Sequence, residues 1–309
     1  MSASSITPTR KQIDDLRRSA GDAVEEAVKT FGLDRAGTQR VLGRRDELRT
    51  TNLSAIKNLS VPNRFIAEEV KSPYDYPADH ALKPIFEQAD ALAKAFSLQI
   101  GPTAKFIEKV LPTLKLPDDM GMEGWAAWPS IDAVATRHFK EVKNPKERYV
   151  RALLMLFDLI SESRGGKFYN YRATEMTAQH LQQVERTVQF LRKIERQQKG
   201  DILIAPWQFG KRHAGRSTRR AHEVIESSQI EFGASSFMTG SVLYTHPKRL
   251  QAWENLFADC PGDKFRPDGV GGFVHAPYLR FYDGKVRFDA SPVGYAYEYF
   301  GSASACLPQ

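Results

Sequence analysis

Cysteines and long apolar runs are scarce in this chain. Its 309 residues include two cysteines, Cys260 and Cys306, which are too few for a disulfide scaffold and are typical of free thiols in a reducing compartment. Nothing in the sequence approaches the roughly 18 consecutive apolar residues of a membrane-spanning helix. Residues 1–16 also lack the apolar segment of a secretory signal. We therefore expect a soluble, cytoplasmic protein without a membrane partner.

Catalytic signatures are missing as well. The sequence contains no phosphate-binding Gly-x-x-x-x-Gly-Lys-Ser/Thr loop, no Gly-x-Gly-x-x-Gly, no Gly-x-Ser-x-Gly and no His-Glu-x-x-His. Its seven histidines are scattered, and no compact set of histidines and cysteines has the spacing of a structural zinc site. We therefore predict no metal and no cofactor, and we favour a protein that is not an enzyme.

Positive charge is present in moderate excess. The chain carries 44 lysines and arginines against 37 aspartates and glutamates, which gives a net charge of +7. Such an excess favours anionic partners without identifying one. Nucleic acid, a phosphate-bearing ligand and an acidic protein all suit this charge.

The apolar pattern predicts an α+β fold, with a helical N-terminal region followed by a mixed helix and antiparallel-sheet C-terminal region. In residues 9–31, apolar side chains recur at intervals of three and four, which predicts an amphipathic helix. Further helices are predicted over residues 34–48, 81–96 and 102–114. Because residues 116–124 are rich in turn formers, we predict three parts. These are a flexible N-terminus at 1–10, a helical region at 11–116 and an α+β domain at 125–309.

The second region changes from helix signals to strand signals. Asn144-Pro145 is a helix start, and this helix should run to residue 163, with another helix over residues 177–199. Residues 202–209 and 240–244 look like strands. A further helix is predicted to open at Pro247, with Trp253 on its apolar side, before the chain finishes in β structure.

The clearest local signal is a β-hairpin around the Asp-Gly pair at residues 283–284. Asp-Gly readily adopts the positive φ angles of a two-residue type I′ turn. The register that follows pairs Tyr282 with Lys285 and Arg280 with Arg287 on one face, and it places apolar residues on the other face. The sequence therefore predicts a cationic and aromatic outer face.

The facing pair of Arg280 and Arg287 has two interpretations. Like charges directly opposite on a sheet are mildly unfavourable, which favours an anion such as a phosphate above them. The alternative is that Asp283, Asp289 or another carboxylate of the fold neutralises the pair, since surface ion pairs commonly have small energetic effects. We consider the second interpretation the stronger one.

Residues 211–223 hold the densest positive cluster. Its basic members are Lys211, Arg212, His213, Arg216, Arg219 and Arg220. If Ser217 caps a helix here, Arg216, Arg219 and Arg220 share one sector and can clamp a phosphate bidentately. The alternative is a solvated helix face or an internal ion-pair network, which is the commoner role of charge runs.

Weaker candidates have ordinary structural explanations that we favour. Residues 27–45 resemble a helix-turn-helix only in a glycine between two helices, and an ordinary helical bundle explains that glycine. Three carboxylates in residues 259–269 suit acid–base chemistry or a divalent cation, but turn geometry explains them better. Core packing is likewise favoured over base stacking for the four tryptophans, Trp125, Trp128, Trp207 and Trp253.

These features lead to three functional hypotheses. The leading one is a non-enzymatic nucleic-acid-associated protein that contacts phosphates through the Arg-rich helix and the basic hairpin. The second is an enzyme acting on a phosphate-bearing substrate, in which His213 or His222 serves as acid or base near a carboxylate such as Asp263. The third is a structural or adaptor protein that binds an acidic partner or forms a homo-oligomer.

Overall fold

The computed structural model describes residues 8–60, 62–75, 77–118, 120–252 and 254–309. It confirms the α+β class, and the chain divides into two compact units, Met1–Val61 and Pro62–Gln309. This division differs from the predicted boundary at residues 116–124. Helices over residues 85–109 belong with the sheet that begins at residue 124 because they supply part of its apolar cover. Of the predicted flexible terminus, residues 1–7 lie outside the described residues and Arg10 is already helical.

The first unit is helical where it is described. Its helices are α1 (Arg10–Thr30), α2 (Arg35–Gly43) and α3 (Arg45–Ser60). Thr9 starts α1 through a capping box with Gln12, which satisfies two backbone donors that the helix end leaves open. The predicted helix over residues 34–48 divides at Arg44, and α3 continues to Ser60, beyond the predicted end. None of the described side chains of α1 is buried.

The second unit contains the remaining described helices. They are α4 (Ile85–Ala95), α5 (Gly101–Lys109), α6 (Ile131–His138), α7 (Pro145–Ser163), α8 (Glu185–Gln198), α9 (Thr218–Ser227) and α10 (Ser236–Thr245). The bounds predicted for α7 are confirmed. Asn144 caps this helix by accepting a hydrogen bond from the Lys146 backbone N–H, and Pro145 occupies the first helical position.

The strands of the second unit form a four-stranded and a seven-stranded sheet among the described residues. The strands are β1 (Gly124–Pro129), β2 (Phe168–Asn170), β3 (Leu181–Gln183), β4 (Ile202–Gln208), β5 (Glu231–Gly233), β6 (Phe257–Asp259), β7 (Asp263–Phe265), β8 (His275–Tyr282), β9 (Lys285–Pro292), β10 (Phe300–Ser302) and β11 (Ser304–Cys306). The smaller sheet has the order β1-β4-β11-β5. In the larger one, β8 pairs antiparallel with β6, β7 and β9, while β2 pairs parallel with β9.

The core of the second unit lies around α7 and α10. Every side chain of α10 except Tyr244 is buried, and a Cβ added to Gly240 would lie 2.8 Å from a methyl group of Leu156 in α7. The predicted strand over residues 240–244 is therefore wrong. A helix that is buried on nearly every side shows no amphipathic period that separates it from a buried strand, and only its Ser235 cap identifies its start.

Two other predictions fail where tertiary contacts replace helical hydrogen bonds. The helix predicted from Pro247 is absent from the described residues there, since Leu250 has a φ of +53° and Arg164 binds the carbonyl oxygens of Arg249 and Leu250. Trp253 lies outside the described residues. The helix predicted over residues 177–199 begins only at α8, because the preceding residues pair with β7 as β3.

Candidate nucleic-acid interface

The β8–β9 hairpin has the predicted turn and register. Asp283 and Gly284 have φ angles of +51° and +72°, which a type I′ turn requires. Tyr282 pairs with Lys285 and Arg280 with Arg287 across the two strands. The apolar partners of the same hairpin, including Leu279 and Phe288, are buried in the core. The predicted cationic and aromatic outer face is therefore confirmed as an arrangement of residues.

Arginine and tyrosine side chains alternate across this outer face. The Arg280 guanidinium lies 4.9 Å from the ring centroid of Tyr282 and 5.6 Å from that of Tyr278. Arg287 lies 4.3 Å from the Tyr282 ring and 5.1 Å from the Tyr171 ring. Each guanidinium thus lies over two aromatic rings, an arrangement in which the ring quadrupole attracts the cation.

Strand β2 extends the face beyond the hairpin. Because β2 pairs parallel with β9, Tyr169 lies opposite Arg287, and its ring packs against Tyr171 at 4.7 Å. We call this set the tyrosine–arginine face. It comprises Tyr169, Tyr171, Tyr278, Arg280, Tyr282, Lys285 and Arg287.

Three tyrosines of the face are exposed to solvent. Tyr169 is 50% exposed, Tyr171 46% and Tyr282 41%. Single exposed apolar side chains are common on proteins, whereas a contiguous group marks a contact surface. Here the rings are held by strands and by the intervening guanidinium groups, which limits the conformational entropy that a ligand would have to remove.

The two arginines of the face differ in their partners. Arg287 is 9% exposed and donates to Asp283 at 3.2 Å and to the Tyr171 hydroxyl. Neutralisation by Asp283, one of the predicted alternatives, therefore holds for Arg287. Within the described part of the chain Arg280 makes no ion pair, and its Nε has no hydrogen-bond partner. Arg280 and the exposed Lys285 are thus the cations that the face can offer to an anion.

Asp289 serves a neighbouring pair. Its carboxylate accepts from Arg172 at 2.7 Å and from the Tyr278 hydroxyl at 3.3 Å, so it does not neutralise the Arg280–Arg287 pair. Burial and the Asp289 charge raise the pKa of Tyr278. Tyr278 consequently remains a neutral donor that joins the face to the Asp289–Arg172 pair.

The Arg-rich segment forms the internal ion-pair network rather than an open anion site. As predicted, Ser217 caps α9 by accepting a hydrogen bond from the Arg220 backbone N–H at 3.0 Å. The cations, however, bind carboxylates of the chain itself. The pairs are Lys211–Asp75, Arg212–Glu231, Arg216–Glu69, Arg219–Glu68, Arg220–Glu69 and Arg220–Glu223.

A turn of 3-10 helix, Ile66–Glu68, and the residue that follows it supply two of the carboxylates in the network. The Val70 backbone N–H donates to Gly215 at 2.8 Å, and the Ser217 N–H donates to the Glu68 carbonyl at 3.0 Å. These hydrogen bonds hold the Glu68 and Glu69 side chains over α9. The Glu68 carboxylate also accepts from the Ser217 hydroxyl at 2.6 Å, at the helix end where an anion was predicted.

His213 is buried inside the same network. Its Nε2 lies 3.0 Å from the Glu231 carboxylate, and burial lowers the pKa of the imidazole. Burial raises the pKa of Glu231, but contacts with His213, Arg212 and Ser304 outweigh burial and lower it to about 2. An imidazole that is fully buried and bound to a carboxylate cannot reach a substrate.

The carboxylate considered for an acid–base site has hydrogen-bond partners other than His213. Asp263 lies in a separate buried cluster, where its carboxylate accepts from the Tyr149 hydroxyl at 2.5 Å and from the Ser236 backbone at 2.7 Å. Among the described residues, no three histidine, cysteine or acidic side chains are grouped so that they could hold a metal ion. No helix in the described ranges has the length and apolarity needed to cross a membrane.

The sequence predicted the hairpin residues of the face but not Tyr169 and Tyr171, which come from the β2 segment. Tyr169 and Tyr171 carry a readable signal, because tyrosines two residues apart point to the same side of an extended chain. Their place beside Arg287 follows from a parallel pairing between segments more than 100 residues apart in sequence. Comparison with protein-family models, with curated proteins and with solved structures found no match for this chain.

Proposed function

We propose that this protein binds single-stranded nucleic acid, without a catalytic step, on the tyrosine–arginine face. The observation that carries the proposal is the alternation of exposed tyrosine rings with arginines on one face of a sheet. Proteins that bind single strands combine aromatic side chains, on which bases stack, with cations that contact the backbone.

Different residues of the face would contact the bases and the phosphates. Tyr169, Tyr171 and Tyr282 present exposed rings to bases. Arg280 and Lys285 can bind phosphates because neither forms an ion pair among the described residues. Arg287, which is bound to Asp283 and Tyr171, positions two of the rings.

A single strand fits the face better than a duplex does. The faces of bases are accessible to stacking only when the bases are unstacked from their neighbours. An acidic protein would use the cations but would leave the exposed tyrosine rings without an aromatic partner. The Arg-rich helix of the original hypothesis takes no part, because its cations bind the chain's own glutamates.

Fluorescence anisotropy with labelled single strands of DNA and RNA tests the proposal. Tyr282→Ala and Arg280→Ala should each weaken binding roughly 5- to 150-fold, because stacking of one base contributes about 1–3 kcal/mol. Phe86→Ala and Arg137→Ala are matched controls, since both side chains are exposed and lie on other elements. Unlabelled duplex should compete poorly.

Salt dependence separates phosphate contacts from stacking. Lys285→Gln should lower the slope of log affinity against log salt by about 0.7, the value for one phosphate contact on a single strand. Lys146→Gln, at an exposed position of α7, should leave the slope unchanged. The proposal is wrong if no single strand binds at low salt, or if Tyr282→Ala and Phe86→Ala bind equally well.

A further inference from the structure

A second group of exposed tyrosines lies in the segment between β9 and β10. Tyr295 is 57% exposed, Tyr297 46% and Tyr299 36%. The backbone of the segment is anchored, since the Phe257 N–H donates to the Tyr299 carbonyl at 2.8 Å. These rings are therefore presented at a defined edge of the larger sheet, and the hairpin hypothesis did not account for them.

Ring contacts connect this group with the tyrosine–arginine face. Tyr295 packs against Tyr297 at 6.2 Å, and Tyr297 packs against Phe300 at 5.1 Å. Phe300 in turn contacts Tyr278 at 5.3 Å, and Tyr278 lies under the Arg280 guanidinium. The contacts form one unbroken series from β2 to β10.

The series crosses the sheet through a row of paired positions. Tyr169 of β2 pairs with Arg287 of β9, and Arg287 pairs with Arg280 of β8. On the other side of β8, Ala258 of β6 pairs with Leu279, and the neighbouring Phe257 pairs with Phe300 of β10. Neighbouring strands lie about 4.8 Å apart, so the row spans roughly 19 Å from β2 to β10. This length exceeds that of one nucleotide.

The two ends of the series differ in charge. Arg280 and Lys285 lie at the hairpin end. Beside the second tyrosine group, Arg219 approaches Gly294, but Arg219 is already bound to Glu68, and the exposed Glu298 lies between Tyr297 and Tyr299. The second group thus offers rings to a ligand and no described cation that is available for a phosphate.

We infer that Tyr295 and Tyr297 form the second end of an extended track, which takes several nucleotides of one strand rather than a single nucleotide. This inference rests on the proposed function. The hairpin end binds through phosphates and stacking together, whereas the second end binds through stacking alone. Affinity gained at the second end is therefore insensitive to salt.

Strand length provides the test. Wild-type protein should bind an oligothymidine of about 10 nucleotides more tightly than one of about 4, because only the longer strand reaches both ends. Tyr297→Ala should weaken binding of the longer strand roughly 5- to 150-fold while binding of the shorter strand at the hairpin end stays unchanged. The slope of log affinity against log salt should not change in this variant.

Controls distinguish stacking from a folding defect. Tyr297→Phe keeps the ring and should bind both strands as the wild type does, and Phe86→Ala should also behave as wild type. If both strands bind but Tyr297→Ala has no effect, or weakens both strands equally, the extended track is wrong and the hairpin site remains. If neither strand binds the wild type, the proposed function itself fails.

Discussion

At the scale of single residues, two adjacent glutamates have different tasks. Glu69 binds both Arg216 and Arg220, and the Arg220 side chain is 6% exposed. Glu68 binds Arg219, whose side chain is 43% exposed. A cation that loses its partner costs more in the interior than at the surface, where water replaces the carboxylate.

Substitution of these glutamates should therefore give unequal losses. We expect Glu69→Gln to lower the free energy of unfolding by roughly 1–3 kcal/mol, because buried donors lose a charged acceptor. Glu68→Gln should lower it by less, because Arg219 is 43% exposed and water can replace the carboxylate there, while the glutamine oxygen can still accept from the Ser217 hydroxyl. Urea unfolding of the two variants measures the difference. Equal losses would contradict the idea that burial of Arg220 makes Glu69 the more important of the two glutamates.

At the scale of elements, the hairpin turn determines where the tyrosine–arginine face ends. Gly284 has a φ of +72°, and no atom lies within 4 Å of the position that its Cβ would take. A residue with a Cβ at this position would therefore strain the backbone but would not clash with any neighbouring atom. Because Tyr282 and Lys285 flank the turn, the strain bears directly on two residues of the face.

Gly284→Ala should lower the free energy of unfolding by about 1–2 kcal/mol, the cost of left-handed backbone for a residue with a Cβ. Gly284→Asn is the matched control and should cost less, since asparagine tolerates this conformation. Chemical unfolding of both variants provides the measurement. If asparagine proved as costly as alanine, the loss would have to arise from something other than backbone conformation.

Helix starts and the hairpin turn were predicted correctly from the sequence where short-range hydrogen bonds determine the structure. Asn144 and Pro145 start α7, Ser217 starts α9, and Asp283-Gly284 closes the hairpin, because each acts through its own neighbours. The prediction failed at α10, which is buried on nearly every side and has no amphipathic period. Within the candidate site, the hairpin residues were predicted for the same local reason.

At the scale of the whole molecule, buried carboxyl groups determine how stability depends on pH. Burial raises the pKa of Asp259 to about 8, against an ordinary value of 3.8, although a hydrogen bond from Thr218 opposes the shift. Burial likewise raises the pKa of Asp263 to about 6. The folded state therefore binds protons more tightly at these groups than the unfolded state does.

The free energy of unfolding should accordingly fall as pH rises from 3.8 to about 8. Glu231 acts in the opposite direction. Its folded pKa of about 2 lies below the ordinary 4.5, so its contribution is complete above pH 4.5 and is lost as pH falls to about 2. Each pH range follows from whether folding favours the protonated carboxyl group, as at Asp259, or the ionised one, as at Glu231.

Asp259→Asn isolates the larger of the two buried-aspartate effects. The variant should lose much less stability than the wild type between pH 5 and pH 9, because its amide has no charge to bury. Urea unfolding at several pH values in this range measures the two slopes. Parallel slopes for variant and wild type would show that folding does not raise the pKa of Asp259, because the carboxyl group would then be ionised in the folded and the unfolded protein alike.

The sequence by itself determined the α+β class, the main helix caps and the hairpin with its facing Arg280 and Arg287, since these depend on apolar spacing and local backbone geometry. Only the tertiary structure decided which cations stay available. It brought Glu68 to Arg219 across 151 residues and placed Tyr169 beside Arg287. Such contacts depend on chain segments that are distant in sequence, so no local pattern encodes them. Of the two anion sites predicted, the Arg-rich helix and the basic hairpin, only the hairpin therefore enters the proposed function.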